Sequence, residues 1–300
     1  MNESRYSRRG VEVANGLLMV GEWAADTAPV VAIHGVSSTH LLWQWSAAAA
    51  PGVRIVAPDL RGRGSSVDVG GPYGLVRHRD DVLTVMDALG IDKAIVAGMS
   101  MGGFVATALA SFAPDRVSEL LLVDGGPPMT PPPSPPKADV ASTDDGETDL
   151  VADRLDRTER TYARVEDYKR TFLGGVGTSL DPDDPLLTEY LRYDLVGQAP
   201  ELEVRLAVDA VREDVGDVFF GAPVEEWMAS VTMPVTLLYA EWSTGAGSVP
   251  AYPEAVVESW QARVPQLKAR LVPGVDHAGS AMSATGAKEI AVELERMTRP

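Results

Sequence analysis

The sequence contains no cysteine, which excludes disulfides, thiolate-bound metals, iron–sulfur clusters and a cysteine nucleophile together. Positive charge is also short. Only 26 Lys plus Arg stand against 43 Asp plus Glu, and the resulting formal net charge of −17 repels nucleic-acid phosphates and anionic lipid surfaces. No apolar run approaches the ~18 residues of a membrane-spanning helix. The polar, Arg-rich stretch from Met1 to Gly10 is not followed by the apolar core of a secretory signal. A repeat of ~20–50 residues is absent, which removes solenoids and propellers. So are a P-loop, a G-x-G-x-x-G at a strand–helix junction and a metal-binding spacing of the H-E-x-x-H kind. These absences predict a cytoplasmic protein with no nucleic-acid partner, no membrane association, no metal and no cofactor. Serine, threonine and aspartate chemistry remain open.

What is present is ordinary globular composition, 45% apolar and 23% charged over 300 residues, enough for one large domain or two small ones. Short β-rich runs at Leu17–Trp23, Val30–His34, Val53–Ala57, Ala94–Gly98 and Leu120–Val123 are separated by helical segments, notably Val82–Leu89 and Phe104–Phe112. This order implies an α/β fold with a mostly parallel sheet covered on both faces. The runs Val30–His34 and Ile95–Gly98 are apolar without polar alternation, as expected of central strands. At the start, Val11–Asn15 and Leu17–Trp23 are joined through Asn15-Gly16, a pair suited to a tight hairpin turn.

The rhythm stops after Val123. Seven prolines fall in the twelve residues from Gly125 to Pro136, and Asp144, Asp145, Glu147 and Asp149 follow without a base among them. Such a stretch is expected to be a surface linker. Charged, amphipathic segments at Val151–Tyr168, Leu186–Leu195 and Leu202–Phe220 then suggest an inserted helical unit. The alternation resumes with a strand at Val235–Ala240, a helix near Tyr252–Arg263, a strand near Ala269–Val272 and a terminal helix from about Thr285 to Met297. The expected organisation is a core of residues 1–126 and 229–300, a linker at 127–149 and a helical cap at 150–228.

The strongest chemical signal is Gly98-Met99-Ser100-Met101-Gly102-Gly103, placed where a strand ends and a helix begins. A serine on that turn is held in strained geometry, and small residues two before and two after it relieve the crowding. The first amides of the helix point at the reacting centre, so the Met101 N–H becomes an oxyanion donor. A serine nucleophile needs a base. Of the histidines His34, His40, His78 and His277, only His277 lies beyond Ser100, in Val272-Pro273-Gly274-Val275-Asp276-His277, on a loop entering the last helix. His34-Gly35 ends a strand and opens the loop Val36-Ser37-Ser38-Thr39, whose Val36 amide is the expected second oxyanion donor. His34 itself is expected to brace that loop rather than carry a catalytic proton.

Taken in order, His34-Gly35, the stretch Asp59-Leu60-Arg61-Gly62-Arg63-Gly64-Ser65-Ser66, the turn at Ser100, an insertion after the sixth strand and Gly274-Val275-Asp276-His277 resemble the α/β-hydrolase superfamily, in its serine-nucleophile branch with a helical cap. The resemblance spans nearly the whole chain. It implies an α/β-hydrolase fold with an eight-stranded sheet, Ser100 as nucleophile, His277 as general base and an oxyanion hole from the amides of Val36 and Met101. Arg61 and Arg63 look like braces of the family's structural turn. Where most similar hydrolases carry the triad acid, after the seventh strand, this sequence has Ala240-Glu241-Trp242-Ser243, and a serine hydroxyl offsets imidazolium charge poorly. Some members carry the acid at the end of the sixth strand, and Asp124 in Val123-Asp124-Gly125-Gly126 is therefore preferred, with Glu241 as the alternative and Asp276 ranked last.

Together these readings predict hydrolysis of a carboxylic ester or lactone through an acyl-enzyme. The nucleophile being Ser rather than Asp sets epoxide hydrolysis and dehalogenation aside. Two other readings stay open: carbon–carbon bond hydrolysis or perhydrolysis by the same residues, and a ligand-binding homologue without turnover, for which Ser243 is the hint. A hydrophobic small-molecule substrate is expected, with Trp43, Trp45, Phe219, Phe220, Trp227 and Trp242 as candidate pocket residues.

Overall fold

The computed structural model of the protein describes residues 5–129, 155–176 and 179–299. Strands β1 (Tyr6–Val13) and β2 (Gly16–Trp23) pair antiparallel. Asn15 in the turn between them takes a left-handed φ of 73°, the backbone that Asn-Gly turns favour. Next come β3 (Val30–Ile33), α1 (Gln44–Ala49), β4 (Ile55–Pro58), α2 (Leu75–Ala88), β5 (Ala94–Met99), α3 (Met101–Phe112) and β6 (Val117–Val123). Every residue of β3, β4 and β5 is buried, which explains their unbroken apolar runs: neither face meets water.

The insertion between β6 and the next core strand differs in part from its sequence pattern. It contains α4 (Val165–Val176), α5 (Pro185–Tyr193), a two-stranded ribbon of β7 (Leu195–Gln198) and β8 (Glu201–Val204), then α6 (Val208–Gly216) and α7 (Val224–Ser230). The segment Leu202–Phe220 is thus not one helix. Its first residues pair across the ribbon, and Leu202 also exchanges backbone hydrogen bonds with Tyr162 at 2.8 and 3.0 Å, which holds both segments extended. The same bridge interrupts the helix expected over Val151–Tyr168, and α4 begins only at Val165. The first residues of that segment, and the proline-rich and acidic linker from residue 130 onward, lie outside the described residues.

The core resumes with β9 (Val235–Ala240), α8 (Glu254–Arg263), β10 (Leu267–Val272), the single turn α9 (Gly279–Met282) and α10 (Ala284–Met297). One eight-stranded sheet runs β1-β2-β4-β3-β5-β6-β9-β10. The pairs β1–β2 and β2–β4 are antiparallel, and every pair from β4 to β10 is parallel. The strand order reverses at β3, so the loops leaving β3, β5, β6 and β10 meet at one end of the sheet. In open α/β sheets that crevice is where ligands bind. Among the described residues no helix is long and apolar enough to cross a membrane.

The turn from Asp59 to Ser66 is a brace. Arg61 is fully buried and grips Asp81 through two bonds of 2.6 and 2.8 Å. Arg63, equally buried, pairs with Asp214 of α6 and donates to the carbonyl of Val36 at 2.9 Å. Both guanidiniums are consumed by protein acceptors, as expected of buried charge that must be matched inside the fold.

Candidate active site

The turn between β5 and α3 places Ser100 at φ 55°, ψ −126°, a left-handed φ that costs a non-glycine residue of order 1–3 kcal/mol. The surroundings enforce it. A Cβ on Gly98 would stand 2.2 Å from the carbonyl oxygen of Gly102, and one on Gly102 would stand 2.2 Å from that of Ile33. Backbone lies on every side, so no side-chain movement relieves either clash. We expect Gly102→Ala to lose more than ~3 kcal/mol of stability in urea unfolding, because the added methyl forces β3 and α3 apart. Wild-type stability in that variant would mean the turn is less crowded than these distances state.

Three loops bring three side chains together. His277, on the loop between β10 and α9, has its Nε2 3.0 Å from Ser100 Oγ and its Nδ1 2.6 Å from Asp124 Oδ2. Asp124 is fully buried at the end of β6, and its other oxygen accepts the Ala240 amide at 3.0 Å. A carboxylate only accepts, so Nδ1–H must donate to Asp124, which leaves Nε2 of the neutral ring as the acceptor for the serine hydroxyl. The imidazole therefore faces Ser100 in the tautomer that can take its proton.

The other carboxylates lie elsewhere. Glu241 accepts the Gly274 amide at 2.7 Å and so fastens the turn after β10. Asp276 accepts the amides of Ser179 and Gly279, each at 3.0 Å. Ser243 has its hydroxyl 3.3 Å from Ser248 Oγ, and only its backbone carbonyl reaches His277, accepting that residue's amide at 3.3 Å. Among the described residues the hydrogen bonds of the imidazole ring run to Asp124 and Ser100, not to Glu241 or Ser243.

The loop after β3 passes directly over the serine. A Cβ on Gly35 would lie 3.2 Å from Ser100 Cβ and 3.6 Å from its Oγ. Among the described residues neither the Val36 nor the Met101 amide donates to a protein acceptor, and Met101 opens α3, where helix amides carry partial positive charge. His34 holds this loop from below. Its Nε2 accepts the Leu60 amide at 2.9 Å and its Nδ1–H donates to Gly35 O at 2.7 Å. Complete burial disfavours the charged ring and pushes its pKa down to about 3. Unfolded His34 takes up a proton near 6.5 while the folded residue does not, so stability is full above that pH and falls as pH drops toward the folded value. We expect urea unfolding of the wild type to lose about 2 kcal/mol between pH 6.5 and pH 5 from this residue, with His34→Gln reducing the loss. A wild-type profile that stays flat over that interval contradicts the burial argument.

Ser100 and His277 border a cavity of about 310 Å³, lined by Gly35–Ser38, Leu42 and Met282 from the core and by Arg157, Phe172 and Tyr190 from the insertion among others. None of the six candidate pocket aromatics is in that lining. Trp43 has no exposed surface and belongs to the core. Trp45 is buried and donates its indole N–H to Asp184 at 2.7 Å. Phe220 is 75% exposed, and its ring pairs with that of Phe219. Trp227 packs with α7 against α3, and Trp242 is absent from the described lining. Proximity in sequence to the loops misled, because alternate residues of a short turn point to opposite sides. Leu42 lines the cavity where its neighbour Trp43 faces the core. The lining residues the sequence did not single out, Phe172 and Tyr190, sit on α4 and α5; Tyr190 falls within the amphipathic segment Leu186–Leu195, whose pattern does not name what it covers, and Phe172 lies beyond the end of the segment Val151–Tyr168.

A family model of the alpha/beta hydrolase fold matches residues 28–164. The solved structure of an E-2-(acetamidomethylene)succinate hydrolase aligns with 98% of both chains at a TM-score of 0.78 and 18% sequence identity. With this sheet order and turn, the chain has the α/β-hydrolase fold. Among curated relatives, it is 36% identical over 97 residues to Lipase LipV of Mycobacterium tuberculosis, a match covering 32% of this chain and 37% of that protein. It is 33% identical over 112 residues to the bifunctional esterase/perhydrolase DCH of Acinetobacter calcoaceticus, covering 36% of this chain and 41% of that one. The chain thus matches about two fifths of the length of these relatives.

Proposed function

We propose that the protein is a serine hydrolase that cleaves a carboxylic ester or lactone through an acyl-enzyme. The observation that carries this is the continuous chain of hydrogen bonds from Ser100 Oγ through His277 to Asp124, at 3.0 and 2.6 Å, opening on the cavity. Ser100 Oγ attacks the carbonyl carbon while His277 Nε2 takes its proton. The carbonyl oxygen becomes an oxyanion facing the N–H groups of Val36 and Met101. His277 returns the proton to the leaving alkoxide, the alcohol departs, and the acyl group remains on Ser100. Water then gives a proton to His277 and a hydroxyl to the acyl carbon, which releases the acid and restores the serine. Asp124 holds the ring tautomer and offsets the imidazolium charge throughout.

The cavity volume lies at the low end of the ~300–1,000 Å³ typical of ligand sites. It favours a short acyl chain or a small ring, held by Leu42, Phe172 and Met282. The matches to proteins named lipase and esterase/perhydrolase support hydrolysis at an acyl carbon, and the second name keeps perhydrolysis as a second reading, in which hydrogen peroxide replaces water on the same acyl-enzyme. The hydrogen bond from His277 to Asp124 favours turnover over the binding-only reading, for which Ser243 was the hint.

A fluorophosphonate is the direct test. It should label the wild type at Ser100 and block hydrolysis of p-nitrophenyl acetate, and a panel of esters, thioesters and lactones should then rank short substrates first. A protein that neither labels nor turns over any of them is not a serine hydrolase.

A further inference from the structure

The loop that carries the Val36 amide has little structure of its own. Residues Gly35 to Thr39 share one internal backbone bond, from the Ser38 amide to Gly35 O at 3.3 Å. Besides His34 beneath it, side chains distant in the chain hold the loop at three consecutive positions. Arg63 Nε donates to Val36 O at 2.9 Å, Arg157 Nη2 donates to Ser37 O at 2.5 Å, and the Tyr190 hydroxyl donates to Ser38 Oγ at 3.0 Å. Arg157 and Tyr190 belong to the insertion, and Arg63 is tied to it through Asp214.

These donors are themselves fixed. Arg157 is 6% exposed and Tyr190 1%. The second terminal nitrogen of Arg157 donates to the Tyr168 hydroxyl at 3.0 Å, and that hydroxyl donates in turn to Asp194. Burial disfavours the charged guanidinium, but the tyrosines and Asp194 around it raise its pKa above the usual value. A charge-assisted donor held from behind in a buried site is restricted in the direction in which it can point. If either donor is lost, a loop carbonyl or hydroxyl is left without its partner, and a backbone of small residues relaxes into another conformation.

We propose that Arg157 and Tyr190 are positioning residues that fix the oxyanion loop, so that the inserted segment governs the chemical step as well as roofing the cavity. This rests on the hydrolase reading above, in which the Val36 amide receives the developing charge. The insertion and the core then form one catalytic unit: only when α5 and the Arg157 segment are seated is the Val36 N–H aimed at the oxyanion. Displacement of a donor by about 1 Å costs on the order of a hundredfold in rate.

The experiment compares Tyr190→Phe, Arg157→Lys and Arg157→Gln with the wild type. Read for each are kcat and KM on one ester, inhibition by a trifluoromethyl ketone, thermal midpoint, and amide hydrogen exchange over residues 35–39. The ketone forms an adduct on Ser100 whose oxygen sits where the oxyanion does. Expected are a kcat loss of about tenfold for Tyr190→Phe and about a hundredfold for Arg157→Gln, with ketone inhibition weakened by similar factors. KM should move by less than about threefold, exchange at 35–39 should quicken, and Arg157→Lys should fall between Arg157→Gln and the wild type. Folded variants that keep wild-type kcat, ketone affinity and loop exchange overturn the proposal. So does a rise in KM at constant kcat, which would make these residues substrate contacts. If Arg157→Gln does not fold, Tyr190→Phe, which removes one oxygen and keeps the ring, decides the matter. A wild-type protein that fails to react with fluorophosphonate removes the hydrolase reading instead, and loop exchange in Tyr190→Phe still judges the positioning claim.

Discussion

Asp124→Asn is expected to slow ester turnover by about 10⁴-fold while leaving fluorophosphonate-accessible protein folded. The size of the effect follows from what each oxygen of Asp124 does. One accepts the Ala240 amide at 3.0 Å and the other accepts His277 Nδ1–H at 2.6 Å, so both neighbours are donors. An asparagine has only one acceptor to offer. If its oxygen turns to His277, its amide nitrogen faces the Ala240 N–H. If its oxygen stays on Ala240, its NH2 faces Nδ1 and drives the proton to Nε2, where it can no longer accept from Ser100. Either arrangement leaves a buried donor unmatched or a ring in the unproductive tautomer. Glu241→Gln should change turnover by less than about twofold, since Glu241 only caps the Gly274 amide and a glutamine oxygen can do the same. A large loss in Glu241→Gln beside a small one in Asp124→Asn would sink the assignment of the acid.

Ser100→Ala should remove covalent labelling altogether and lower turnover by about 10⁶-fold, to the level that a polarising loop and bound water sustain without a nucleophile. The protein should remain folded or gain stability, because alanine removes a hydroxyl whose described side-chain hydrogen bond is to His277, while the left-handed φ of 55° is unchanged. Thermal unfolding beside the labelling assay separates loss of the nucleophile from loss of the fold. Turnover that survives in Ser100→Ala would require another nucleophile and would remove the acyl-enzyme from the mechanism.

How much of this was legible beforehand depends on the range over which the relevant forces act. The hairpin turn at Asn15-Gly16 and the strand at Val235–Ala240 are local events, set by turn chemistry and by apolar runs, and both stand where their sequence patterns put them, although β1 begins at Tyr6, ahead of the pattern that starts at Val11. The turn at Ser100 was readable for the same reason: crowding between a strand and the helix after it admits only small residues at Gly98 and Gly102. The insertion was less readable. Leu202 has apolar spacing compatible with a helix, but pairing with Tyr162 and with β7 decides its backbone, and no local pattern announces a partner forty residues away. The aromatic side chains were misjudged for a related reason. Size and proximity to a loop do not say which way a ring points, and only packing put Trp43 in the core and Phe172 in the cavity.

The sequence by itself determined the class of sheet, the position of the strained serine and the short field of candidate bases, since each depends on covalent neighbours and on residue types the chain either has or lacks. Tertiary structure alone decided which carboxylate meets His277 and which side chains aim the loop beside Ser100. Those contacts join residues 153, 120 and 152 positions apart. At such separations a hydrogen bond is chosen by how the sheet and the insertion pack, and distance along the chain carries no information about it.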